Sequence, residues 1–150
     1  MRSIFAVTVS FVFIVLFSGC AAPLRVDLDY HQPPSASSFN PDNALVYFYR
    51  INEFFLSARG IYITADGERV GALNNGTYFI YETTPGEHIF AAENGLGADD
   101  ARTINLKPGD RYFIRGFYKS GFWDAVPTIN IMNRLEGENA VTQLKHATLK

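Results

Sequence analysis

Three histidines are the side chains of this sequence best suited to metal binding or proton transfer, and they stand far apart, at His31, His88 and His146. None has a second histidine at a ligand spacing such as i, i+4, so the sequence predicts no metal site. His88 follows a Pro-Gly turn at the start of an apolar strand pattern, which indicates a structural hydrogen bond rather than catalysis. His146 lies near the C-terminus, where we expect a solvated side chain.

Hydroxyl and carboxyl groups form no catalytic pattern either. Ser57 and Ser120 lack the Gly-x-Ser-x-Gly setting of an activated nucleophile. The carboxylates of Asp99 and Asp100, and those of Glu136 and Glu138, are interpreted as loop charges. A glycosidase would need two carboxyl groups roughly 5 to 9.5 Å apart in a cleft, which the sequence leaves open. We expect a protein without enzymatic activity and without a cofactor.

The only cysteine, Cys20, follows an apolar run from Ile4 to Phe17. That run is shorter than the roughly 20 apolar residues of a membrane-spanning helix and suits a signal peptide, with Arg2 as its positive start. The small residues Ser18 and Gly19 precede the cysteine. The arrangement resembles a bacterial lipoprotein signal, which implies cleavage after residue 19 and a lipid-anchored Cys20. An ordinary cleaved signal and an uncleaved anchor are the alternatives.

Composition limits the partners of the mature chain. The chain carries 13 Lys and Arg against 15 Asp and Glu, and loss of Arg2 with the signal makes its net charge slightly more negative. Nucleic acid is not an expected partner, because its phosphates require clustered basic residues. Lipidation of Cys20 leaves no thiol, so packing must hold the fold, and 13 Phe, 8 Tyr and one Trp are available for it.

Residues 20–43 are rich in Pro and Ser and show no sustained apolar period, which indicates a flexible tether behind the lipidated cysteine. The alternative is a first edge strand around Leu24 to Leu28. From Ala44 onward, short apolar segments alternate with turn signals roughly 8 to 12 residues apart. Residues 51–60 interrupt that pattern and indicate a loop, or a short helix at Asn52 to Ala58.

Four turn signals separate the predicted strands, and the strongest is Asp66-Gly67, a pair typical of a two-residue hairpin. The other three are Asn74–Gly76, Thr84–Gly86 and Lys107–Asp110. Glu136 to Leu149 indicates either a short closing helix or a last strand. The pattern predicts an all-β domain over residues 44–150, an antiparallel β-sandwich or partly open barrel of about seven to eight strands.

An ordered set of short motifs resembles a family of small bacterial lipoproteins that carry a domain of unknown function. The motifs are LVYFYR at 45–50, IYITADG at 61–67, VG at 70–71, NGTYF at 75–79 and PGEH at 85–88. The resemblance runs from about Ala44 to Lys145. Its middle part is also similar to the PEGA repeat, a small β-module of envelope proteins. The resemblance implies a lipid-anchored β-domain in the cell envelope and no established activity.

Aromatic residues are the remaining candidates for binding. Phe117, Tyr118, Phe122 and Trp123 surround the turn-like segment 119–121. They are interpreted either as core residues or as an exposed contact for a partner or ligand, since Trp and Tyr bury a large area at low entropic cost.

We therefore expect a non-enzymatic interaction or accessory module of an envelope assembly, anchored through Cys20. The alternative is a module that binds a small ligand or a glycan such as peptidoglycan through strand-face aromatics. In the lipoproteins that the signal resembles, a residue such as Ala21 after the cysteine favours the outer membrane, which implies a periplasmic location.

Overall fold

The computed structural model describes residues 25–93, 98–120 and 125–150, and of Ala98 and Asp99 only the main chain. These residues form ten strands and one α-helix, α1, at Arg134–Val141. The strands are β1 Leu28–Tyr30, β2 Ala44–Arg50, β3 Ile61–Ala65, β4 Glu68–Leu73, β5 Thr77–Thr83, β6 Gly86–Glu93, β7 Ala98–Leu106, β8 Arg111–Ser120, β9 Ala125–Met132 and β10 Lys145–Leu149. Within the described ranges, no helix is long and apolar enough to cross a membrane.

The strands build two packed sheets, so the predicted all-β sandwich is confirmed. One sheet has the order β1-β10-β5-β2-β8-β9 and the other the order β4-β3-β6-β7. Alternate residues of facing strands, such as Phe48, Ile63, Phe90 and Ile114, fill the space between the sheets. Most pairs are antiparallel, but β2 pairs with β8, and β5 with β10, in parallel. The sequence did not indicate these two parallel pairs.

All four predicted turns are present, but they connect the sheets in different ways. Asp66 and Gly67 have φ values of 52° and 86° and close the β3–β4 hairpin within one sheet. The turns at Gly76, Gly86 and Gly109 also contain glycine at positive φ, yet each carries the chain from one sheet to the other. A turn signal specifies the local backbone and leaves the partner of the next strand undetermined.

The segment predicted to be a flexible tether contains a strand, so that prediction is wrong where Val26 to Tyr30 pack on the domain. Val26 and Leu28 are buried against Ala72 and Ala147, and β1 is hydrogen-bonded to β10. This strand is the sequence's alternative edge strand, displaced towards Tyr30. Further along, the main-chain amide of Asn40 and the side-chain amide of Asn43 both donate to Glu82, at 2.8 and 2.9 Å.

Both alternatives for the C-terminal segment occur in succession. Helix α1 begins at an Asn133 cap, whose Oδ1 accepts from the amide of Glu136 at 2.9 Å. The helix packs on the outer face of the six-stranded sheet, where Gly137 lies directly over Phe113. Strand β10 follows and returns to the sheet. Residues 51–60 form the predicted loop, and the short helix at 52–58 is not present.

Candidate binding groove

A groove of about 880 Å³ opens where β1 leaves the sheet and where α1 connects to β10. Two chain segments from opposite ends of the sequence form its walls, and Tyr78 of β5 contributes the floor. The lining residues are Tyr30, His31, Gln32, Pro33, Tyr78, Val141, Thr142, Leu144, Lys145 and His146. Largely apolar surface with a few convergent polar groups is typical of ligand sites.

His146 lies at the base of the groove and is 9% exposed. Its ring meets Tyr78 edge-on at 5.2 Å between centroids and lies 6.5 Å from His31. Burial lowers the pKa of His146 from its usual value of 6.5, and the nearby His31 lowers it further. The imidazole is therefore neutral at neutral pH. The expectation of a solvated side chain was wrong, because pairing of β10 with β5 places the ring against Tyr78.

The Nδ1 atom of His146 is buried and makes no hydrogen bond within the part of the chain that the structure describes. Burial also raises the pKa of the Tyr78 hydroxyl, which stays protonated and can donate. Because Nδ1 is itself buried, the polar groups that a ligand in the groove can reach are exposed side chains of its walls, namely Gln32, Thr142 and Lys145. None of the ten lining residues is a carboxylate, so the described groove walls supply binding groups rather than the carboxyl pair of a glycosidase.

His88 has the structural role that the sequence predicted. Its Nδ1 lies 2.7 Å from Oδ2 of Asp66, and its Nε2 lies 2.9 Å from the carbonyl oxygen of Thr84. The other carboxylate oxygen of Asp66 accepts from the amide of Ile89 at 2.8 Å. These contacts tie the β3–β4 hairpin turn to the start of β6.

The aromatic residues singled out in the sequence separate into three groups. Tyr118 belongs to the core: it is buried, and its hydroxyl donates to the carbonyl oxygen of Gly60 at 2.8 Å. Phe117 lies on the outer face of β8, half-buried, with the guanidinium of Arg115 at 5.5 Å from its ring centroid. Phe122, Trp123 and the lipidation candidate Cys20 lie outside the described residues. The contact role stays a prediction for Phe117, Phe122 and Trp123, whereas Tyr118 is a core residue.

The groove could not be predicted from the sequence, because its residues carry no local pattern. His31 and His146 stand near opposite ends of the chain, and only the antiparallel pairing of β1 with β10 brings them together. Among the described residues, no group of three or more His, Cys, Asp or Glu could hold a metal ion.

Residues 40–128 match the model of a protein family described as "Protein of unknown function (DUF2846)". The match covers more than half of the chain and spans β2 to β8 with the first part of β9. Of the groove-lining residues, Tyr78 alone lies inside the matched segment. A search of the curated proteins finds no match.

Proposed function

The chain belongs to the DUF2846 family, and on that premise we propose that it is a non-enzymatic, lipid-anchored module of the cell envelope. It is attached through Cys20, faces the periplasm from the outer membrane, and acts as an interaction or accessory module in an envelope assembly. The family's description, a protein of unknown function, supplies no activity, and the support for this role lies in the chain's own residues.

The anchor is supported by the apolar run that ends in Ser18-Gly19-Cys20. Each buried CH₂ of an acyl chain contributes about 0.8 kcal/mol, and stable attachment takes more than one chain. A multi-chain anchor on Cys20 would hold the domain at a membrane surface. A Cys20→Ser variant should lose incorporation of labelled palmitate and leave the membrane fraction. Retention of the label in that variant would contradict the proposed anchor.

The groove beside His146 is the observation that carries the binding role. It combines an apolar wall, Val141 and Leu144, with a rim of Gln32, Thr142 and Lys145 that can hydrogen-bond an extended partner segment. By contrast, both ring nitrogens of His88 are hydrogen-bonded within the turn that this residue holds. The groove thus combines apolar area with exposed polar side chains that can bond a partner.

A photo-crosslinking amino acid at Gln32, an exposed residue on the groove rim, tests this role in cells. The matched control carries the same amino acid at Glu87, an exposed residue of β6 outside the groove. We expect one reproducible envelope protein crosslinked at position 32 and not at position 87, with loss of the product when Thr142→Glu adds a charge to the rim. Equal products at both positions would contradict a partner site in the groove.

A glycan such as a peptidoglycan fragment is the second candidate, favoured by the edge-on pair of Tyr78 and His146 at the groove base. Sugar rings pack on aromatic side chains, and the exposed rim residues Gln32 and Thr142 can bond sugar hydroxyls. Calorimetric titration of the lipidated protein in detergent with muropeptides tests it. Binding that His146→Phe weakens at least tenfold, without a change in melting temperature, would favour the glycan. Absence of heat together with a protein crosslink would favour the assembly role.

A further inference from the structure

Two adjacent aromatic side chains project from the loop formed by residues 51–60. Phe54 is 100% exposed and Phe55 is 53% exposed, which makes them the most solvent-exposed aromatic pair in the described chain. The next residue, Leu56, turns back and packs against the core at φ 53°. Exposed apolar side chains side by side mark a contact surface when the main chain that carries them is held in place.

Arg50 holds this loop from inside. Its side chain is 0% exposed and sits at the end of β2. One terminal nitrogen donates to the carbonyl oxygen of Leu56 at 2.9 Å, and the other donates to that of Arg59. The guanidinium also lies 5.3 Å from the ring centroid of Tyr118. A buried charge with two main-chain acceptors closes the base of the loop around itself.

A second set of contacts holds the loop from outside. The amide of Glu53 donates to Oδ1 of Asn75 at 2.9 Å, and its carboxylate pairs with Arg115. Within the loop, the amide of Arg59 donates to the carbonyl oxygen of Leu56 at 3.0 Å. The exposed pair is therefore presented by a hydrogen-bonded main chain.

The described chain enters the fold at the same end of the sandwich. Val26 lies against Gly60, the last residue before β3, where a Cβ on the glycine would come within 2.4 Å of the Val26 side chain. Arg25 and Asn52 line one small cavity together with Lys145. The loop tip is only two residues beyond Asn52. Entry point and aromatic tip thus share one face of the domain.

The short distance from Cys20 to Val26 limits how far this face can lie from an anchoring membrane. Six residues span at most about 20 Å when fully extended. A domain of this size is roughly 35 Å across, from the usual scaling of radius with length. An anchor on Cys20 would thus keep the face with the loop nearer the bilayer than the far end of the sandwich.

We propose that Phe54 and Phe55 insert into the interface of the phospholipid leaflet that holds the acyl chains of Cys20. This inference rests on the proposed lipid anchor. Aromatic residues favour the headgroup level of a bilayer, where apolar rings leave water. The exposed cations Arg25 and Lys145 beside the loop base suit the anionic headgroups of such a leaflet. The domain would lie on its membrane rather than hang from it.

The test uses the full lipidated chain in vesicles of phosphatidylethanolamine and phosphatidylglycerol, with an environment-sensitive NBD label at Phe54→Cys. Glu87→Cys is the matched control, because Glu87 lies at the opposite end of the sandwich from the loop. It follows the turn after Thr83, and Thr83 pairs with Ala44, the residue of β2 farthest from the loop. We expect a blue-shifted emission and quenching by bromine-labelled acyl chains at position 54, and water-like emission at position 87. Equal, water-like emission at both positions would overturn the inference.

A second variant guards against a perturbing label. With the label at Ser57→Cys, the double change Phe54→Ser and Phe55→Ser should reduce quenching by acyl-chain bromine severalfold, whereas Ile89→Ser, at a half-exposed apolar residue of β6, should not. Unchanged quenching in the double variant would also overturn the inference. Mass spectrometry of the same samples reports acylation of Cys20. An unacylated chain would refute the anchor itself. An acylated chain whose loop label shows water-like emission would refute only the insertion.

Discussion

The side chain of Asn74 makes two hydrogen bonds to the main chain of Val26. Its Oδ1 accepts from the Val26 amide at 3.3 Å and its Nδ2 donates to the Val26 carbonyl oxygen at 2.7 Å. Asn74 is buried in the turn between β4 and β5. One side chain thus replaces the neighbouring strand that Val26 lacks, and it sets the point at which the chain joins the domain.

Asn74→Ala should lower the free energy of unfolding by about 1–3 kcal/mol, because two buried main-chain groups lose their partner. We also expect faster proteolysis ahead of β1. Chemical denaturation and limited proteolysis measure the two effects. Asn105→Ala, at an exposed residue of β7, should stay within about 0.5 kcal/mol of the parent. If both variants have the same free energy of unfolding, the hydrogen bonds from Asn74 to Val26 do not contribute to stability.

Arg50→Lys should open the loop at residues 51–60. An ammonium group lacks the planar fork that reaches two carbonyl oxygens, so one of the contacts to Leu56 and Arg59 is lost. We expect a loss of about 1–3 kcal/mol in stability and faster amide exchange at Arg59. The control is Arg134→Lys, on an exposed helical ion pair with Glu138, which should change little. Unchanged exchange at Arg59 would show that the loop holds without the buried guanidinium.

The His88–Asp66 pair should make stability depend on pH. The hydrogen bond to Asp66 raises the pKa of His88 above 6.5, so its contribution is present below that value and is lost as pH rises through the folded pKa. The hydrogen bond from the Ile89 amide, followed by that from His88, lowers the pKa of Asp66 below 3.8. The Asp66 contribution is present above that value and is lost as pH falls through its folded pKa.

Asp66→Asn tests this sign, because asparagine tolerates the φ of 52° at this position. We expect it to lower stability by up to about 1 kcal/mol near pH 5.5, since the carboxylate is half-exposed. Above the folded pKa of His88 the deficit should shrink. Thermal unfolding near pH 5.5 and at a pH above the folded pKa of His88 measures the stability deficit of the variant. Asp42→Asn is the exposed control. A larger deficit at high pH would contradict the assignment.

Gly137→Ala should destabilise the protein even though it improves helix propensity. Alanine in a helix interior is favoured over glycine by about 1 kcal/mol. Here, however, a Cβ would come within 2.2 Å of Cγ of Phe113, so the helix must move off the sheet. We expect a net loss of about 1–3 kcal/mol by urea unfolding. Asn139→Ala, on an exposed position of the same helix, should be neutral or stabilising, and a stabilising Gly137→Ala would show that α1 is not seated on Phe113.

The sequence by itself determined the local elements. Alternating apolar residues and the turn pairs Asp66-Gly67, Pro85-Gly86 and Pro108-Gly109 were enough for an all-β domain, because strand period and positive φ are properties of a few neighbouring residues. The role of His88 in a turn could be predicted for the same reason. The packing of Val26, within the Pro- and Ser-rich segment before Ala44, could not be predicted in this way, because its partners lie at Asn74 and Gly60, far along the chain.

Only the tertiary structure decided which strands pair and what their surfaces present. The parallel pairing of β5 with β10 buries His146, and the pairing of β1 with β10 brings His31 beside it, so the groove exists only after non-local contacts form. The same holds for Tyr118, whose aromatic type suits a core or a contact surface equally well. Its burial follows from the packing of the second sheet and Gly60 over this face of β8, because exposure depends on neighbours that no local pattern specifies.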